Sequence, residues 1–315
     1  MGFGGVRDPD RLDAWVRDVL DGRISRYERE TLGFYREALA AIRRDIAAVY
    51  ERYSVDGTLT LAEMSRYNRL AALEKQIVAE FSPAVRKSTR LVEKMSRIEY
   101  DEAFYRYAWT MDQQAGVALQ WGVLNPTTVT AAVANPLRLI AETRLETDGI
   151  QRIQRAVTQG LIRGQSYPAM AREIKAAIDG NASDALRIVR TEGQRAQVIG
   201  QQASYERARA DGVVVVDVWN ASLDGRTRPE HGALDGVEAK YDDAGNPYWD
   251  TAVGRVAGPT RSGVASFDIN CRCRITGRVK GYEPTVRRIR GQGVVPYTTY
   301  DNWIAGLNAR GKFTA

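Results

Sequence analysis

The chain has 315 residues, 44% hydrophobic and 27% charged, with a formal net charge of +6, proportions that fit a globular chain long enough for two domains and a sizeable core. No apolar run reaches the roughly 20 residues that span a bilayer, and residues 1–10 lack the apolar core of a secretory signal. The composition therefore excludes a helical membrane protein and predicts a chain made and used in a cytoplasm, with its two cysteines reduced.

From Tyr35 apolar residues recur at Leu39, Ile42, Ile46, Val49 and Tyr53, the three-and-four spacing of one helix face. Gly57 ends that stripe. Thr60 with Glu63 forms a capping box for a second helix, whose stripe runs Leu70, Leu73, Ile77, Phe81, Ala84, Ser88, Leu91, Met95 and Ile98. Pro83 lies inside it and predicts a kink or a split, because proline lacks an amide and clashes with the preceding turn. The stripes predict two long helices packed as a hairpin; part of a stripe could instead serve a partner or a ring of copies. Asn125-Pro126 and Asn135-Pro136 are turn or helix-start signals and mark a boundary. Beyond it the pattern predicts a helix over 150–162, another capped by Ser166 and ended by Gly180, and a long one from Ser183 to near Gly212. Val213–Trp219 is rich in β-branched residues and reads as a strand, opening a small sheet with long loops that runs to about Lys280.

The expected fold class is α+β, a long-helix N-terminal region followed by a small β-rich module and a basic tail. The expected divisions are 1–125, a helical hairpin for docking; 126–212, a second helical region; 213–280, the β-rich module; and 281–315, the basic tail. Residues 274–315 carry eight basic and two acidic residues, so the whole net charge of +6 resides there. Arg287, Arg288, Arg290 and Lys312 are the candidate contacts to phosphates or an acidic protein surface. Around Arg287–Arg290 the sequence looks like a flexible arm; the plainer reading is a solvated tail.

Candidate chemistry is confined to one window. His231, the only histidine, and Cys271 and Cys273, the only cysteines, all fall between Trp219 and Cys273. Asp224-Gly225 is a turn, and Leu234-Asp235-Gly236 is a second. If Asn270–Cys273 is a strand, both sulfurs lie on one face, and a disulfide between them would close a strained ring. His231, Cys271 and Cys273 supply three soft ligands for zinc, with a carboxylate such as Asp224 or Asp235 as the fourth. The competing reading is a core of buried thiols around a hydrogen-bonded histidine. An open zinc site would imply a hydrolase with Glu230 as base. Neither H-E-x-x-H nor G-x-S-x-G occurs, and Gly306–Lys312 has phosphate-loop spacing without its Ser or Thr. Arg190 and Glu192 read either as exposed ion-pair partners or as groups buried against the sheet.

The order of these motifs resembles the phage head morphogenesis, or Mu F-like, minor head protein family. Arg190-Thr191-Glu192 and Arg195 lead through Tyr205 and Gly212 to Trp219, then to Asp224, Arg226, Thr227, His231, Asp235 and Gly236, and finally to Asn270-Cys271-Arg272-Cys273, over roughly residues 150–276. The resemblance implies a minor capsid component of a tailed phage or prophage, located in the virion and assembled in the host cytoplasm. The implied partners are the portal protein, the major capsid protein and double-stranded DNA; no membrane segment or small-molecule substrate is implied. Some relatives carry an enzyme domain after the Cys-Arg-Cys segment; only 42 residues follow Cys273 here, so the expectation is a structural protein. The alternative is a zinc-dependent hydrolase or nuclease centred on His231, Cys271 and Cys273.

Overall fold

Three helices of 45, 47 and 44 residues organise the chain: α1 (Pro9–Tyr53), α3 (Arg69–Ala115) and α6 (Tyr167–Ala210). The computed structural model describes residues 9–116, 119–280, 286–289 and 293–296. Shorter helices α2 (Leu61–Ser65), α4 (Pro126–Val133) and α5 (Pro136–Ile162) lie between the long ones. The chain forms two compact units, one from residues 1–24, 95–134 and 191–315, the other from 25–94 and 135–190.

The second unit is helical, and its core carries the predicted stripes: Ile42, Ile46, Leu73, Ile77 and Phe81 are buried with Ile153, Val157, Ile174 and Ile178. The expected split at Pro83 and the expected helix end at Gly180 are absent. The helix α3 runs through Pro83, because Phe81, Ser82, Ala84 and Val85 are all buried. Interior proline costs about 3 kcal/mol, and burying Phe81 and Val85 at about 1.5–3 kcal/mol each offsets it. Likewise α6 continues through Gly180 and Ser183. Asn181 is buried and donates to Leu145 O at 2.7 Å, while Ser183 Oγ bonds back to Asp179 O at 2.9 Å rather than capping a new helix. A break appears instead where none was expected. Thr60 Oγ1 does accept from the Glu63 amide, but it caps only α2, and Tyr67 and Asn68 adopt left-handed φ of 54° and 56° before α3 begins. Asn125 and Asn135 cap α4 and α5, each with proline at the first turn.

The first unit joins helical segments to strands. Strand β1 (Val215–Asn220) pairs antiparallel with β5 (Arg274–Val279), Trp219 opposite Ile275. Between them come α7 (Pro229–Gly232), a three-stranded sheet β2 (Lys240–Tyr241), β3 (Pro247–Thr251) and β4 (Gly254–Val256), and α8 (Ala265–Asp268). Val198, Tyr205 and Ala208 of α6 form one core with Tyr107, Val215, Trp219, Trp249 and Ile275. The fold is thus α+β with long N-terminal helices ahead of a small strand-bearing module, as expected.

The stretch expected to be a flexible arm contains a hairpin: β6 (Val286–Ile289), which carries Arg287 and Arg288, pairs antiparallel with β7 (Gly293–Pro296). Arg290 and Lys312 lie outside the described residues.

Within the first unit α6 crosses α3 at backbone contact. A Cβ on Gly200 would lie 2.2 Å from Tyr100 O. Gly200→Ala should therefore lower stability by about 1–3 kcal/mol, since overpacking outweighs the gain of up to about 1 kcal/mol in helix propensity. A urea midpoint equal to or above that of the wild type would contradict the close crossing.

Candidate functional site

The site is built on a row of buried glutamines along α6. Gln194 donates to Cys273 O at 2.6 Å, Gln201 to Ile275 O at 2.7 Å and Gln202 to Ala257 O at 2.7 Å, while Gln197 bridges Leu20 O and Glu99. Each glutamine satisfies a carbonyl or carboxylate that burial would otherwise strand. This row fixes the start of β5, and with it Cys273, against the helix.

The opposite wall is the loop after β1. Asp224 receives the Arg226 amide at 2.9 Å and holds the Arg272 guanidinium through both oxygens. Ser222 Oγ donates to Arg272 O at 2.8 Å, and Thr227 Oγ1 to Ser222 O. Arg228 reaches across to Ile269 O at 2.6 Å, and Pro229 then starts α7. That single turn delivers His231 inward. Asp235 accepts from the Ala221 amide at 2.8 Å, and Gly236, at φ 80°, donates to Trp219 O at 2.8 Å. On the third side, Asn270 takes a left-handed φ of 56° and its amide bonds Thr191 Oγ1 at 3.2 Å. The reversal turns Cys271 and Cys273 toward His231.

The three side chains converge. His231 Nδ1 lies 3.5 Å from Cys271 Sγ and 3.5 Å from Cys273 Sγ. All three are buried, at 1%, 4% and 2% exposure. The imidazole sits 4.1 Å from the Phe267 ring and edge-on to Trp219 at 5.9 Å, and Trp219 meets Trp249 at 5.5 Å. His231 Nε2 and Trp219 Nε1 are buried without a hydrogen-bond partner among the described residues. The two thiols are driven apart in acidity. Cys273 is pulled well below the usual thiol range, chiefly by a hydrogen bond from Cys271 and, against the cost of burial, by His231. Cys271 is pushed up by that same bond and by burial. The group could hold a metal ion.

Not every predicted member joins it. Asp224 is not in the converging group, because Arg272, which stands between the two cysteines, takes its carboxylate. Cys271 and Cys273 precede β5 rather than lying on a strand. Asn270, Trp219, Asp235 and Gly236 frame the site through the contacts above. Arg226 is exposed and contributes its backbone amide. Glu192 is buried and paired with Arg195 at 3.2 Å, whereas Arg190 is half-exposed and paired with Glu28. The glutamine row, Arg228 and Phe267 were missed. Glutamines three and four apart on a helix face that should be apolar were the available signal.

Residues 151–276 match the family described as phage Mu protein F like protein. The minor head protein GP7 of Bacillus phage SPP1 is 30% identical over 292 residues, covering 90% of this chain and 94% of that protein. The NAD(+)--arginine ADP-ribosyltransferase EFV of Enterococcus faecalis is 28% identical over 304 residues, 94% of this chain but 61% of that protein. No solved structure matches the chain.

Close to the site, on β1, Asp217 is buried and bound to Arg209 at 2.9 Å. Burial pushes its carboxyl up to about 6 from 3.8, against the pull of Arg209. The folded chain thus holds this proton more tightly than the unfolded one, so the group's contribution to stability is complete below about pH 4 and lost as pH rises through about 6. The stability of wild type relative to Asp217→Asn, read from urea midpoints, should be greatest near the acid end and shrink toward neutrality. A difference independent of pH would show that the carboxyl titrates normally.

Proposed function

The chain belongs to the phage Mu F-like minor head protein family, and from that premise we propose that its helical regions dock it to the portal or inner capsid while its β-bearing module serves as a folded structural unit. It is a head-morphogenesis protein, a virion component assembled in the host cytoplasm. The observation that carries this reading is the end-to-end similarity to GP7, which spans nearly all of both chains. We assign the docking role to residues 1–125 and contact with double-stranded DNA to the tail from 281 onward, through Arg287, Arg288, Arg290 and Lys312.

The rival reading, a zinc-dependent hydrolase or nuclease, needs a substrate to reach a metal-bound water. His231, Cys271 and Cys273 are each under 5% exposed, and Glu230, the proposed base, faces solvent. Burial therefore supports a structural role for the cluster. The arginine ADP-ribosyltransferase activity named for the Enterococcus relative is that protein's, and this chain spans 61% of it.

Co-expressed with its portal and major capsid proteins, the chain should sediment with assembled heads at a few copies each, and its absence from purified heads would defeat the proposal. Replacing Arg287, Arg288, Arg290 and Lys312 with alanine should reduce the dependence of log affinity for duplex DNA on log salt by about 3–4, one released counterion per lost phosphate contact. An unchanged salt slope would remove DNA from the tail's partners.

A further inference from the structure

We propose that His231 Nδ1, Cys271 Sγ and Cys273 Sγ bind one zinc ion that fastens α7 to the segment entering β5. The inference rests on the structural reading of this module and names the cofactor that braces it.

Three observations carry it. The first is distance. Zinc bonds of about 2.3 Å to sulfur and about 2.0 Å to nitrogen, set at a tetrahedral angle, hold the sulfur and nitrogen about 3.5 Å apart. Both sulfurs stand at 3.5 Å from His231 Nδ1, and all three donor atoms lie within 4.8 Å of one another. The second is the donor set. The neighbouring carboxylates are engaged elsewhere: Asp224 with Arg272, Asp235 with the Ala221 amide, Asp268 with Ser262 and Gly263. One imidazole and two sulfurs remain, a set that selects zinc over magnesium, calcium or manganese. The third is charge. The site is buried among Trp219, Phe267 and Trp249, where a net charge is costly. Two thiolates and a neutral imidazole cancel a dication, so the loaded centre is neutral. Binding exchanges all but one of the ion's waters for two Zn–S bonds and one Zn–N bond, and the retained water completes the tetrahedron. Binding also sends the two S–H protons to solvent and changes no oxidation state.

A core of protonated thiols would explain the burial as well. Hydrogen-bonded thiols also place a ring nitrogen 3.5 Å from each sulfur, so bound metal is the observation that separates the two.

The test uses the full chain, purified without chelator from zinc-supplemented cells. One zinc per chain is expected by elemental analysis. After exchange for cobalt(II), the absorption spectrum should show a thiolate-to-cobalt charge-transfer band in the near ultraviolet and the intense visible bands of a tetrahedral site. The double variant Cys271→Ser, Cys273→Ser should lose the charge-transfer band, and His231→Asn should weaken binding by at least about tenfold, the scale seen when a metal's supporting groups are removed. Folded wild-type protein without stoichiometric metal would overturn the proposal whatever the variants do, and so would a cobalt spectrum lacking the thiolate band. Removing the metal should speed amide exchange over 229–236 and 271–275; unchanged exchange would overturn the fastening role. Protein that holds zinc but stays out of heads would defeat the assembly reading alone. Protein that enters heads without metal would defeat this one alone.

Discussion

The strand-bearing module depends on side-chain amides of α6 reaching carbonyls at the ends of strands and loops. Gln194, Gln201 and Gln202 donate to Cys273, Ile275 and Ala257, and Tyr205 packs so closely under β5 that a Cβ on Gly277 would lie 2.6 Å from its ring. Hydrocarbon at those positions would seal the same carbonyls from water with no donor, at about 1–3 kcal/mol for each stranded group. A leucine stripe would let β5 slide along the helix, whereas an amide accepts only one alignment. The position of Cys273, and hence the geometry around His231, follows from that alignment.

On the far side of the cluster, a second set of directional contacts does the same for His231. Asp224 joins Arg272 to the β1 loop, and Arg228 spans to the carbonyl of Ile269. The imidazole is thus approached by two independently anchored walls, with aromatic rings filling the gap. Such a framework suits a part that must keep its shape while its neighbours assemble.

How much of this was legible depended on the kind of interaction. The helical stripes of residues 35–98 were readable because burial repeats with the helix period, and Asn125 and Asn135 because a cap uses a local side chain. Gly180, Ser183 and Pro83 misled because their local preferences, worth one to a few kcal/mol, were outweighed by core contacts made far away in sequence. The convergence of His231, Cys271 and Cys273 was legible from rarity alone. Asp224 stands apart from the cluster for a different reason: the sequence does not say which cation each acid holds, and Arg272 lies inside the very motif that carries the cysteines.

His231 and Cys271 are 40 residues apart in sequence and meet at the cluster. Everything between them, including β2, β3, β4 and α8, leaves from and returns to one point. Trp249 anchors the middle of this excursion, buried and donating to Val237 O at 2.9 Å. A loop whose ends are already pinned tolerates length change cheaply, since each doubling costs only about 0.6 kcal/mol of closure entropy. The exposed turn at Asp242–Gly245 is therefore the natural point for this module to accept extra chain, where a foreign epitope or a new surface could be added without disturbing the residues that close it.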